Sequence, residues 1–198
     1  MKKWITTFCI VILCIVLMAA GLLAIRLRHG VKIRAEEEHP LAGQVFSYRQ
    51  DDEAWAKDSL GNSSYTMKSS GCLVTCIASA VSGYEAVTPG ELNDLFSRNG
   101  VYDSEGNIQW DEVAKLDGYY VTTYDGVSGK DIENCLKDGH YPIVRVRMHG
   151  LGNNHYVLIL GTDEEGQFLC MDPLEDELTK LSDYLGLVYA VRCVWKED

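Results

Sequence analysis

The sequence contains no internal repeat and no low-complexity tract, which excludes solenoids, repeat arrays and compositionally disordered chains. It has no Cys-x-x-Cys motif, and none of its histidine and cysteine residues fall at metal-ligand spacing. A metal site or other cofactor is therefore not expected. No second apolar run follows the first, so a bundle of membrane spans is not expected, and nor is an ATPase domain. Acidic residues are absent from the first 35 positions, where all six ionised side chains are basic: Lys2, Lys3, Arg26, Arg28, Lys32 and Arg34.

What remains is a composition of 46% hydrophobic and 24% charged residues, ordinary for a globular chain. Beyond position 35 lie roughly 163 residues, enough for one domain with a sizeable core. That part holds 12 of the 18 basic residues and all 29 acidic ones, a formal charge of −17. Such a surface repels nucleic acid phosphates and favours cationic or neutral partners, or simply keeps the domain well solvated.

Residues 4–25 carry no charge, and at 1.5 Å per residue this stretch covers the roughly 30 Å hydrocarbon layer. A cleavable signal has a shorter apolar core of roughly 7–15 residues and a small-x-small site. The sites near Ala19 to Gly21 are poor, so the reading is a basic N-terminus (1–3), an uncleaved single-pass signal-anchor (4–25), an exposed linker (26–45) and one domain (46–198). Cys9 and Cys14 lack the preceding small residue of a lipoprotein site. Basic residues flank the span on both sides and blur its orientation. The domain is expected outside the cell membrane, or secreted if the segment is cut.

Within the domain, residues 71–81 combine small and apolar residues at helical spacing after a Ser-rich loop, placing Cys72 in the first turn of a buried helix. Thr88 and Pro89 open a second helix ending near Gly100, and a short third is expected over 108–116. Residues 119–124 are apolar and β-branched, and a helical segment runs from Ser128 to Lys137 with Gly139 as its stop. Strands are expected at 141–148, 155–161, 167–171 and 187–194, with a hairpin turn at 162–166. Helices followed by sheet is the α+β order, in which a site can form where the two halves face each other.

A thiol reacts as its thiolate, which a helix N-terminus favours, so Cys72 is the candidate nucleophile. Cys76 lies one turn on and offers a conceivable redox partner, without the spacing that favours one. His155 starts a strand after the polar loop 150–154 and can serve as general base. His149 is its rival in that loop, and His29, His39 and His140 receive no role. Asp172 closes the next strand, from which it can orient the imidazole, or it is an ordinary Asp-Pro turn. Gln50 can supply a side-chain amide to an oxyanion. Cys170 and Cys193, on neighbouring candidate strands, are a conceivable disulfide, or else buried free thiols.

Together these residues form a pattern: Gln50 and Trp55, Leu60-Gly61, Gly71-Cys72, Thr88-Pro89, Trp110, then Gly139 and Tyr141-Pro142, His155-Tyr156-Val157, and Asp172-Pro173. Over residues 44–195 the pattern resembles the papain-like cysteine peptidases, and most closely the stand-alone domains related to the bacteriocin-leader (double-glycine) peptidases. The resemblance implies a papain-like fold, with Cys72 as nucleophile, His155 as base, Asp172 as orienting residue and Gln50 in the oxyanion hole. It also implies a peptide or protein substrate and no cofactor. Ser70-Gly71 stands before the cysteine where transporter-borne leader peptidases usually have Asp, which leaves the substrate open. A cell-wall amidase or acyltransferase on the same pair, and a silent binding domain, are the other expectations.

Overall fold

Helix formation in the first 30 residues follows from composition alone, because an uninterrupted apolar run with no Pro satisfies its backbone groups internally. The computed structural model describes residues 2–41, 43 and 45–197. Met1, in the expected basic N-terminus, Ala42 and Gln44, in the expected linker, and Asp198 lie outside the described residues. Helix α1 (Lys2–Leu27) is long and apolar enough to cross a membrane by length and composition. A signal sequence meets the same criteria. Residues 1–30 form one unit and residues 31–198 a second.

The second unit is α+β. It opens with β1 (Val31–Lys32), then α2 (Met67–Ser70), α3 (Cys72–Val81), α4 (Pro89–Arg98), the single turn α5 (Trp110–Val113), β2 (Tyr119–Thr123) and α6 (Gly129–Lys137). Strands β3 (Pro142–Arg147), β4 (Asn154–Thr162), β5 (Phe168–Met171), β6 (Thr179–Lys180), β7 (Leu187–Val188) and β8 (Ala190–Lys196) complete it. Six strands form an antiparallel sheet in the order β2-β8-β3-β4-β5-β6, while β1 pairs with β7. The Thr88 cap read from the sequence is in place, and Ser128 caps α6 as well. Thr88 accepts from the Glu91 amide, whose carboxylate accepts in return, and Ser128 accepts from the Asp131 amide at 3.2 Å.

Strand alternation divides the core. Ile143 and Leu158 face one side with Val74 and Ile77 of α3, Leu92 and Phe96 of α4, and Val194. Val144, Val157, Ile159 and Val191 face the other, with Ile132 of α6 and Ile33. The sheet is therefore clamped between α3 with α4 on one face and α6 on the opposite face.

Three expectations need correction. Residues 31–41 are no exposed linker. Ile33 is buried and its amide bonds Gly186 at 3.0 Å, Glu133 of α6 accepts from the Glu36 and Glu37 amides, and His39 and Thr162 exchange hydrogen bonds. Gly161 makes this approach possible, since a Cβ there would lie 2.7 Å from the Pro40 carbonyl oxygen. The strand expected over 187–194 is two strands, because Leu187–Val188 pairs with β1 and the chain then crosses to β3 through Ala190. The disulfide joins Cys193 to Cys135 of α6, not to Cys170. Strands β3 and β4 intervene between β8 and β5, which puts Cys170 about 14 Å from Cys193. No disulfide spans that distance. Cys170 is a buried free thiol.

Closing a loop between residues 135 and 193 contributes about 4 kcal/mol in the chain-entropy model. Reduction, or the Cys135→Ser/Cys193→Ser double variant, should therefore lower the thermal unfolding temperature of the protein, and dithiothreitol should have no further effect on the double variant.

Candidate active site

Cys72 owes its position to a break between two helices. Thr66 and Ser69 form a reciprocal cap on α2, α2 ends at Gly71, and α3 begins at once with Cys72. Gly71 is required there, since a Cβ would collide with the backbone of Met67, whose Cα would be 2.8 Å away. The helix itself is fixed, with Val74 to Val81 all buried.

His155 is the second residue of β4, opposite Val146 of β3, and is 3% exposed. Its Nε2 lies 2.7 Å from Asp172 Oδ1. Cys72 is close enough to act on the titration of the ring, and with Nε2 engaged by Asp172 the nitrogen left is Nδ1. Folding thus brings His155 against Asp172 and puts Cys72 near the ring. Burial disfavours charge on the ring, but Asp172 and the nearby Cys72 outweigh it and raise the His155 pKa to about 9.

Asp172 is held from three sides. Besides His155, it accepts from the Leu174 amide at 2.8 Å through Oδ1 and from the Tyr184 hydroxyl through Oδ2. Burial pushes its carboxyl up, yet His155 and Tyr184 hold it below the ordinary carboxylate value. Tyr184 is itself pushed up by burial and by Asp172, so it stays a donor, and Thr179 Oγ1 lies 3.0 Å from its hydroxyl. Sequence reasoning missed Tyr184. It stands at the end of a short 3₁₀ turn, Leu181–Tyr184, twelve residues beyond its partner, with no periodicity or motif to mark it.

Gln50 is 4% exposed and donates from Nε2 to the Lys68 carbonyl at 2.8 Å, four residues before the sulfur. Its backbone amide bonds the Pro173 carbonyl at 2.9 Å, tying this loop to the residue after Asp172. Trp55 steadies the loop from below, its indole N–H donating to the Arg49 carbonyl. Of the two Gln50 amide hydrogens, one is engaged by Lys68 and one remains.

Cys72 lines a cleft of about 280 Å³ with Tyr65, Ser70, Leu73, Tyr102, Trp110 and Tyr156 around it. Cys76 does not reach this space. It is buried, its thiol donates to the Tyr156 carbonyl at 3.4 Å, and burial pushes its pKa well up, so it is no redox partner for Cys72. His149 lines a separate hollow behind Asp172 with Met148, Glu175 and Tyr184. Among the described residues no group of three or more His, Cys, Asp or Glu side chains could hold a metal ion.

No protein-family model matches the chain, and no curated protein matches it. Its chemistry is accordingly argued from this geometry.

A ring with its pKa raised to about 9 from 6.5 stabilises the folded state fully below the lower value and loses that contribution as pH rises through the higher one. NMR titration of the protein should give a His155 midpoint near 9. Asp172→Asn should move that midpoint down, and Tyr184→Phe should move it without abolishing the hydrogen bond to Asp172. The thermal stability of the wild type should fall with alkalinity across this window more steeply than that of Asp172→Asn.

Proposed function

We propose that this chain is a thiol hydrolase of the papain-like type, cleaving a peptide or related amide bond. The observation that carries the reading is the buried hydrogen bond between His155 and Asp172 on a ring near Cys72, which lines an open cleft. The α+β order, with a helix bearing the cysteine packed on an antiparallel sheet bearing the histidine, supports a papain-like fold.

On this reading the Cys72 sulfur attacks the scissile carbonyl carbon and a C–S bond forms. The C–N bond breaks as His155, protonated at neutral pH, passes its proton to the leaving amine. Water then attacks the thioester, with His155 now the base, and the acid product leaves. The Cys72 amide and the second Gln50 N–H are the donors for the oxyanion. Asp172 does not change its protonation; it holds the ring and its charge. No step calls for a cofactor.

We further propose that α1 anchors the chain by a single pass and that the domain lies outside the membrane. The Cys135–Cys193 disulfide supports an oxidising compartment. The substrate is then a peptide or protein met at the cell surface, and the domain's formal charge of −17 argues against nucleic acid.

The full chain in detergent, incubated with a mixed-sequence peptide library, should yield cleavage products by mass spectrometry. Cys72→Ala should abolish them, and Gln50→Ala should lower kcat by roughly 10²–10³. Turnover should decline above about pH 9, where His155 no longer carries the proton that the leaving amine needs. Clearing of peptidoglycan without peptide cleavage would favour the cell-wall amidase, and a Cys72 inert to iodoacetamide would leave a binding domain.

A further inference from the structure

Three arginines share one face of the sheet beside a cleft that has the acidic Glu105 among its lining residues. Arg145 and Arg147 of β3 and Arg192 of β8 project from the sheet face on which α3 rests, since Arg192 is paired with Ile143 and all three share that residue's side. Among the described residues none of the three has a carboxylate within ion-pair distance, although the chain holds 29 acidic residues. Arg49, by contrast, pairs with Asp51 and Asp176, and Lys180 with Asp163.

The partners these arginines have are neutral. Arg145 donates to the Tyr189 carbonyl at 3.3 Å, Arg147 to the Gly152 carbonyl at 3.2 Å, and Arg192 to the Val191 carbonyl at 2.6 Å. The Nε–H of each is buried and without a hydrogen-bond partner. A guanidinium presents a fork of donors that matches a carboxylate, and here the fork is incompletely used.

Two of the three border the site. The Arg192 guanidinium lies 5.5 Å over the Trp110 ring, and Arg145 is paired with Tyr156 across β3 and β4, where burial raises the tyrosine hydroxyl while both arginines pull the other way. Trp110 and Tyr156 line the same cleft as Cys72. Arg192 and Arg145 also sense each other, because burial first and then Arg145 lower the pKa of Arg192. Two cations held near one another without a counter-ion are electrostatically incomplete, and a substrate anion completes them.

We propose that Arg145 and Arg192 form an anionic subsite beyond Trp110 and Tyr156, so that the substrate cleaved at Cys72 carries a carboxylate next to the scissile bond. This deepens the thiol-hydrolase reading and rests on it. It also reverses, locally, what the overall charge implies: the domain repels anions at long range and accepts one at this point. The carboxylate can belong to an acidic side chain or to the free C-terminus of a peptide.

Alkylation of Cys72 in the full chain separates these possibilities without requiring turnover. Three probes of matched shape serve: N-iodoacetyl-glutamine amide, N-iodoacetyl-glutamate amide, and N-iodoacetyl-glutamine with a free carboxylate, with modification mapped to Cys72 by mass spectrometry. One or both charged probes should react roughly tenfold faster than the neutral one, the ratio one charge-assisted hydrogen bond gives. Which of them does so identifies the carboxylate's source. In Arg145→Gln/Arg192→Gln the ratio should collapse toward one, and in Arg145→Lys/Arg192→Lys part of it should return. Equal rates for all three probes in the wild type, or an undiminished ratio in the Gln double variant, would overturn the subsite. Absence of any Cys72 modification is a different result, which removes the thiol reading and this inference with it.

Discussion

The arrangement depends on one buried hydrogen bond, from the His155 ring to the Asp172 carboxylate at 2.7 Å. Two titratable groups out of water are costly unless each satisfies the other and its remaining atoms are bonded. Asp172 meets that condition with the Leu174 amide and the Tyr184 hydroxyl. The carboxylate is thereby saturated on its far side, and its charge is directed at the imidazole. The register of β4 and β5 makes the pairing possible, because Leu158 lies opposite Met171 and brings the residues before the one and after the other to the same end of the sheet. The Gln50–Pro173 backbone bond closes that end with the loop that carries the side-chain amide.

A pair fixed so tightly needs a platform that does not move. The sheet is packed from both sides, and the two attachments unforeseen in the sequence both lie on the face away from α3. There the disulfide fastens α6 to β8, and Glu133 of the same helix fastens residues 36 and 37. Staples behind the sheet leave the cleft side free of covalent constraint. Tyr102 is still fixed there by ordinary packing and by its bond to Asn93, which in turn holds the Ser59 carbonyl.

How far the sequence could be read follows from the range of the interactions involved. The cap at Thr88, the buried helix after Gly71 and the main strands are local, and each was legible from spacing and residue type. Positions 72, 155, 172 and 50 were legible only as a pattern, since each has a commonplace alternative alone. Pairing of β1 with β7 involves a register between residues 31 and 188 that no local signal carries. The Cys193 partner depends on strand order: the sequence left Cys170 open between a pairing with Cys193 and a buried free thiol, and topology leaves it free and pairs Cys193 with Cys135. Tyr184 was invisible for the same reason, being fixed by where a short turn lands and not by its neighbours in sequence.

Charge illustrates the gap between composition and field. Counted over the domain, the side chains describe a surface hostile to anions, and far from the protein that description is correct. Within a few ångströms, screening by distance no longer averages the charges, and what matters is which groups lack partners. Arg49 and Lys180 are neutralised by nearby carboxylates and add little to the field felt by a ligand. Arg145 and Arg192 are set among Tyr156, Trp110 and backbone carbonyls, where the lower local dielectric strengthens whatever charge approaches them. Net charge and local field thus differ at this point of the domain, because the first counts every side chain and the second only those near enough and unpaired.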